Sequence, residues 1–118
     1  MKNIQKNEQL MELLQLLKKT AIENDAAVWK RVATDLEKPT RRRRIVNIYK
    51  LDKYVREGEI VVVPGKVLGT GELSKKLSVA AYAFSGDAIA KINEKGNAMS
   101  IKDLVLKNPK GSKVRIMG

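Results

Sequence analysis

The 118-residue sequence contains no cysteine and no histidine. That removes disulfides, thiolate nucleophiles, imidazole general bases and zinc sites built on nitrogen and sulfur. Aromatic residues make up only 4%, with a single tryptophan, Trp29. No apolar run approaches the ~20 residues that a bilayer requires. The polar N-terminus does not read as a secretion signal, so the expected location is the cytoplasm. Acidic residues are in short supply, with 13 Asp and Glu against 24 Lys and Arg, a formal net charge of +11 and a pI near 10.0. Such an excess favours polyanionic partners. Its placement is uneven. Residues 1–40 hold 7 basic and 6 acidic side chains, and the remainder holds 17 and 7. The first third therefore reads as scaffold and the rest as the surface that meets an anion.

What is present fits one domain with a folded core, since 43% of residues are hydrophobic. Leu10, Leu13, Leu14, Leu17 and Ala21 recur at helical spacing, which predicts an amphipathic helix over Ile4 to Glu23. Asn24-Asp25 offers an N-cap for a second helix carrying Val28, Val32 and Leu36, and Pro39 ends it. This hairpin reads as packing rather than function. Trp29 reads as core or interface filler ahead of a base-stacking residue.

From residue 40 onward the pattern changes to short extended segments and short helices. Ile45 to Tyr49 is an expected strand, and Leu51 to Arg56 an expected helical turn. Val61 to Val63 and Val79 to Phe84 read as buried strands, the first stopping at Pro64-Gly65. Ser85-Gly86-Asp87 caps a helix over Ala88 to Asn93 with Ala88, Ile89 and Ile92 on one face, and Gly96 stops it. Ser100 to Asp103 forms a capping box, Asn108 to Gly111 a turn, and Val114 to Met117 a closing strand. The fold class is α/β, a 1–39 helical hairpin ahead of a 40–118 basic α/β body.

Two stretches carry the candidate binding chemistry. Arg41, Arg42, Arg43 and Arg44 form a run of one sign whose forked guanidinium groups suit phosphate. In Glu59 to Gly86, Gly65, Gly69 and Gly71 permit close main-chain approach while Lys66, Lys75 and Lys76 add positive charge. Lys50 and Lys53 join the candidates, interleaved with Tyr49 and Tyr54, which fit RNA stacking and a buried helix face equally well. The glycine loop fails as a nucleotide cradle. A Walker A loop needs Gly-Lys-Ser/Thr where Glu72 follows Gly71, and the dinucleotide fingerprint has Ser74 in place of its last glycine. Asp87, Glu72 and Glu59 are scattered as caps or solvated charges, so no catalysis, no metal and no cofactor is expected.

The segments VVVPGKVLGTGELSKKLSVAAYAFSGDAIAKI, AAVWKRVATDLEKPTRRRR and NPKGSKVRIMG together resemble the archaeal and eukaryotic large-subunit ribosomal protein numbered eighteen in the eukaryotic series. That family is related to bacterial large-subunit protein fifteen, whose long Gly-rich N-terminal extension is missing here. The resemblance spans essentially the whole chain. It implies short β-β-α units in an irregular superhelical arrangement behind the helical segment, and a structural, non-enzymatic role on the rRNA of the large subunit. Neighbouring ribosomal proteins are possible partners, and a membrane is not. It also implies that Arg41 to Arg44 and the Lys66 to Lys76 loop face rRNA, and the two stretches are expected to be neighbours forming one basic face. The alternative is a free-standing RNA or DNA chaperone acting outside the ribosome.

Overall fold

The computed structural model describes residues 8–38 and 44–117. Helix α1 spans Glu8–Asn24 and buries Leu10, Leu14, Leu17 and Thr20, a stripe at three- and four-residue spacing. Its end corrects one expectation. Asp25 adopts a left-handed φ of 51°, the Ala26 N–H donates to the Ala21 carbonyl at 2.9 Å, and the Asp25 N–H donates to Ile22. Asn24 turns its amide back onto the Thr20 carbonyl. The Asn24-Asp25 pair thus closes α1 in a Schellman arrangement, and α2, Ala27–Leu36, starts from Ala26 with no side-chain cap.

The remaining elements are β1 (Arg44–Asn47), α3 (Ile48–Tyr54), β2 (Ile60–Leu68), β3 (Ser78–Phe84), α4 (Gly86–Lys95), β4 (Asn97–Ser100), α5 (Ile101–Lys107) and β5 (Val114–Ile116). The α/β class and the order of short strand and helix units follow the sequence pattern. Every strand pair is parallel, with β2 and β3 at the centre and β4 beside β3. The far edge of β2 is shared end to end: β5 pairs Ile60 to Val62, and β1 pairs Gly65 to Leu68. Pro64 sits where the edge partner changes and where the register with β3 shifts between Val63 and Lys66. A residue without an N–H is tolerated at such an irregularity. The strand therefore runs through Pro64-Gly65 instead of stopping there, as the sequence suggested.

Alternation along β2 builds two cores. Val61, Val63 and Val67 join Ile48, Leu51, Val55, Ala88 and Ile92 on one face. Val62 and Ala80 join Leu10, Leu14, Leu17, Trp29, Leu36, Ile101 and Leu104 on the other. The sheet is thus sandwiched between α3 and α4 on one side and α1, α2 and α5 on the other. Trp29 is fully buried and its indole N–H donates to the Pro109 carbonyl at 2.9 Å, which ties the Asn108 to Gly111 turn onto α2. Ile89 departs from its expected apolar face and stands exposed, and β4 is a short strand with no signal in the sequence.

Residues 69–77 connect two parallel neighbours with no helix between them. The connection must return from the level of Val67 to that of Ile60, about 23 Å at ~3.3 Å per residue. Nine extended residues reach about 30 Å. The segment is therefore a nearly taut strap, and Leu73 and Leu77 pin it into the core.

Candidate nucleic-acid interface

The sheet register places the end of the arginine run against the start of the lysine loop. Arg44 pairs with Gly65, and Ile45 with Lys66. Lys66 is exposed there, between Ile45 of β1 and Ala83 of β3. The two candidate stretches are thus neighbours at this point, while Arg41, Arg42 and Arg43 lie outside the described residues. Arg44 itself is already engaged. Its guanidinium approaches the Asp35 carboxylate at 3.1 Å, and its side chain is 23% exposed. Asp35 is buried near the end of α2, and Lys38 (3.3 Å) and Arg31 (3.9 Å) also reach it. A buried carboxylate requires such pairing. The spacing Arg31, Asp35, Lys38 along one helical stripe was the sequence signal for this cluster.

The glycines serve the protein's own packing. A Cβ on Gly65 would collide with the Arg44 carbonyl, and one on Gly69 would lie 2.5 Å from the Cβ of Asp87. Gly71, at φ +101°, abuts Tyr49. At these three glycines the chain approaches β1, α4 and α3 closely.

The lysines of the strap divide. The Lys75 ammonium is half-buried and donates to the carbonyls of Asp52 and Val55, satisfying the last turn of α3. Lys76 is exposed, held by its backbone N–H on Glu57 at 2.8 Å. Both lie at the opposite end of β2 from Lys66, because the strap has crossed the sheet between them. Lys91, which the sequence did not single out, donates to the carbonyls of Gly69 (2.8 Å) and Gly71 (2.7 Å) and is the post that holds the glycine turn. Lys50 is half-buried, Lys53 is exposed, and the Lys53 ammonium lies 5.4 Å from the Tyr54 ring centroid. Tyr49 and Tyr54 are 54% and 51% exposed, which removes them from the core and leaves Leu51 and Val55 as the buried side of α3.

Several of the acidic groups have structural partners. The Ser74 backbone N–H, followed by the Ser74 hydroxyl and the Lys75 charge, holds the Asp52 carboxyl below its usual range against a smaller opposing effect of burial. The Arg56 N–H does the same for Glu59, assisted by Arg115. Glu72 is exposed beside Lys91 at 3.7 Å. Among the described residues no group of acidic side chains is arranged to hold a metal ion, and no helix is long and apolar enough to cross a membrane. What the described surface offers chemically is the exposed ammonium groups of Lys53, Lys66 and Lys76 and the solvent-facing rings of Tyr49 and Tyr54, with the Arg44 guanidinium held by Asp35.

The chain is thus a small, strongly basic α/β sandwich whose exposed lysines Lys66 and Lys76 stand at opposite ends of β2. Residues 12–99 match the family described as ribosomal proteins 50S-L15, 50S-L18e and 60S-L27A, and the chain belongs to that family. It is 44% identical over 117 residues to the large ribosomal subunit protein eL18 of Methanospirillum hungatei, covering 98% of this chain and 97% of that one. The eL18 proteins of Archaeoglobus fulgidus (47% over 112 residues) and Haloarcula marismortui (46% over 111 residues) each cover 94% of this chain, which in turn covers 96% of each.

Proposed function

We propose that the chain is a structural constituent of the large ribosomal subunit, located with the ribosome in the cytoplasm, and that it binds rRNA as a single domain without a catalytic step. Membership of a ribosomal protein family along most of the chain supports the subunit. The observation that carries the rRNA face is the β1–β2 register, which sets exposed Lys66 one residue from the end of the arginine run. Arg41, Arg42, Arg43, Lys50, Lys53, Lys66 and Lys76 are the proposed phosphate contacts. Gly65, Gly69, Gly71 and Lys75 act by shaping the surface that presents them, and Arg44, paired with Asp35, stands at its border. Recognition follows RNA shape more than base sequence, because A-form grooves hide most base edges from side chains. Neighbouring ribosomal proteins complete the environment.

The test is a titration of the full chain with a large-subunit rRNA fragment at several salt concentrations. Log K falls steeply with log salt, and replacing Arg42 and Arg43 with Ala makes that slope shallower by roughly one unit per lost contact. An unchanged slope removes those arginines from the interface. Co-sedimentation of the protein with the large subunit after a moderate salt wash separates this role from that of a free chaperone.

A further inference from the structure

The near-neutral first third of the chain contributes a cationic cluster that its net charge conceals. Asp35 is 4% exposed, and its carboxylate is approached by Arg31, Lys38 and Arg44 at 3.9, 3.3 and 3.1 Å. Three cations about one carboxylate leave a local charge of +2. The Arg31 Nε and Arg44 Nη2 both face Asp35 Oδ2, so they are at most 7.0 Å apart, the sum of their distances to it. Two of the cations remain accessible, since the Arg31 and Lys38 side chains are 64% and 48% exposed, while Arg44 is largely covered. The nearest acidic neighbour in sequence, Glu37, is occupied by Lys18 at 2.7 Å.

Each part has a cause. Residues 31, 35 and 38 fall on one stripe of α2 and its first residue beyond the cap, so Arg31 and Lys38 flank the carboxylate from above and below. Arg44 arrives from β1, fixed by the Arg44–Gly65 register. Asp35 is buried beneath them, so its charge positions the cations while Arg31 and Lys38 face solvent. Holding flexible basic side chains in place beforehand lowers the ordering cost of a later contact. A phosphodiester, with one negative charge and two free oxygens, matches guanidinium groups held a few ångströms apart.

We propose that Arg31, Lys38 and Arg44, gathered by buried Asp35, form a phosphate-binding site for the RNA backbone, so that the end of α2 extends the interface beyond the arginine run. The site rests on the reading that the chain binds rRNA. It changes the role of the helical hairpin, which becomes scaffold at α1 and contact surface at the end of α2.

The test uses the full chain and the same rRNA fragment titrated across salt concentrations. The double variant R31Q/K38Q removes two exposed charges and leaves the Asp35–Arg44 pair, so the fold is retained, as circular dichroism will verify. The control K95Q/K102Q removes two charges flanking β4, at the other edge of the sheet. The expected result is a slope shallower by about two units for R31Q/K38Q and a clearly smaller change for the control. Steep wild-type binding with an unchanged slope in R31Q/K38Q overturns the site and leaves the rRNA reading standing. Equal changes in the two variants also overturn it, since the effect is then one of net charge. Absence of salt-dependent binding by the wild-type chain overturns both.

Discussion

Gly65 has no room for a methyl group, because the Arg44 carbonyl occupies the place where a Cβ would lie. This residue was singled out in the sequence for close approach, and close approach is what it provides, toward the neighbouring strand. Gly65→Ala is expected to cost about 1–3 kcal/mol, the usual range for overpacking a filled site. The shift of the urea midpoint, read from the fluorescence of buried Trp29, measures it. A variant as stable as the parent would mean that β1 can move away from β2 without loss. Lys75 illustrates the opposite limit of sequence reading. Its ammonium is drawn to two main-chain carbonyls at the end of α3, and nothing in a Lys-Lys pair distinguishes the lysine that caps a helix from the one left exposed.

At the scale of elements, the strap of residues 69–77 is held at both ends, by Lys91 on the Gly69 and Gly71 carbonyls and by Asp52 and Glu57 on the backbone of Ser74 and Lys76. Lys75 and Lys66 should therefore separate stability from binding. Lys75→Met removes charged hydrogen bonds and should lower stability by about 1–3 kcal/mol, with little change in the salt slope of rRNA binding. Lys66→Ala should leave stability within about 0.5 kcal/mol, as expected for an exposed side chain, and make the slope shallower. Chemical denaturation and salt-dependent titration of the two variants check this together, and the reversed pattern would exchange their roles. The apolar periodicity of α1 and the caps Ser85 and Ser100 were legible because local spacing and capping chemistry specify them. The extension of β2 through Pro64 was hidden, because two different strands complete its edge.

For the whole molecule, acidification should weaken the fold. Asp52 has a native pKa below its unfolded value, so its contribution is fully present above about pH 4, the ordinary aspartate range, and is lost as the pH falls through the depressed native value. The urea midpoint should therefore drop between pH 5 and pH 3, ranges taken around that ordinary value. Asp52→Asn should flatten part of that drop, and an identical pH profile in the variant would remove Asp52 from the account. Both proteins carry the same excess of positive charge apart from this one group, so the comparison isolates it from general repulsion.

By itself the sequence determined the α/β class, the two-helix opening, the identity of the buried valines and the strongly basic character of everything after Thr40. These follow from periodicity, turn chemistry and charge, which are local properties or simple sums. Its resemblance to a ribosomal protein family pointed to the same family that the comparisons establish. Only the tertiary structure decided which basic residues are spent inside the fold and which remain outside. Arg44 is engaged by Asp35, Lys75 by α3 and Lys91 by the glycine turn, while Lys66 and Lys76 stay exposed at opposite ends of β2. The physical reason is that a lysine or arginine seeks the nearest unsatisfied oxygen, and which oxygen is nearest depends on contacts between segments far apart in the chain.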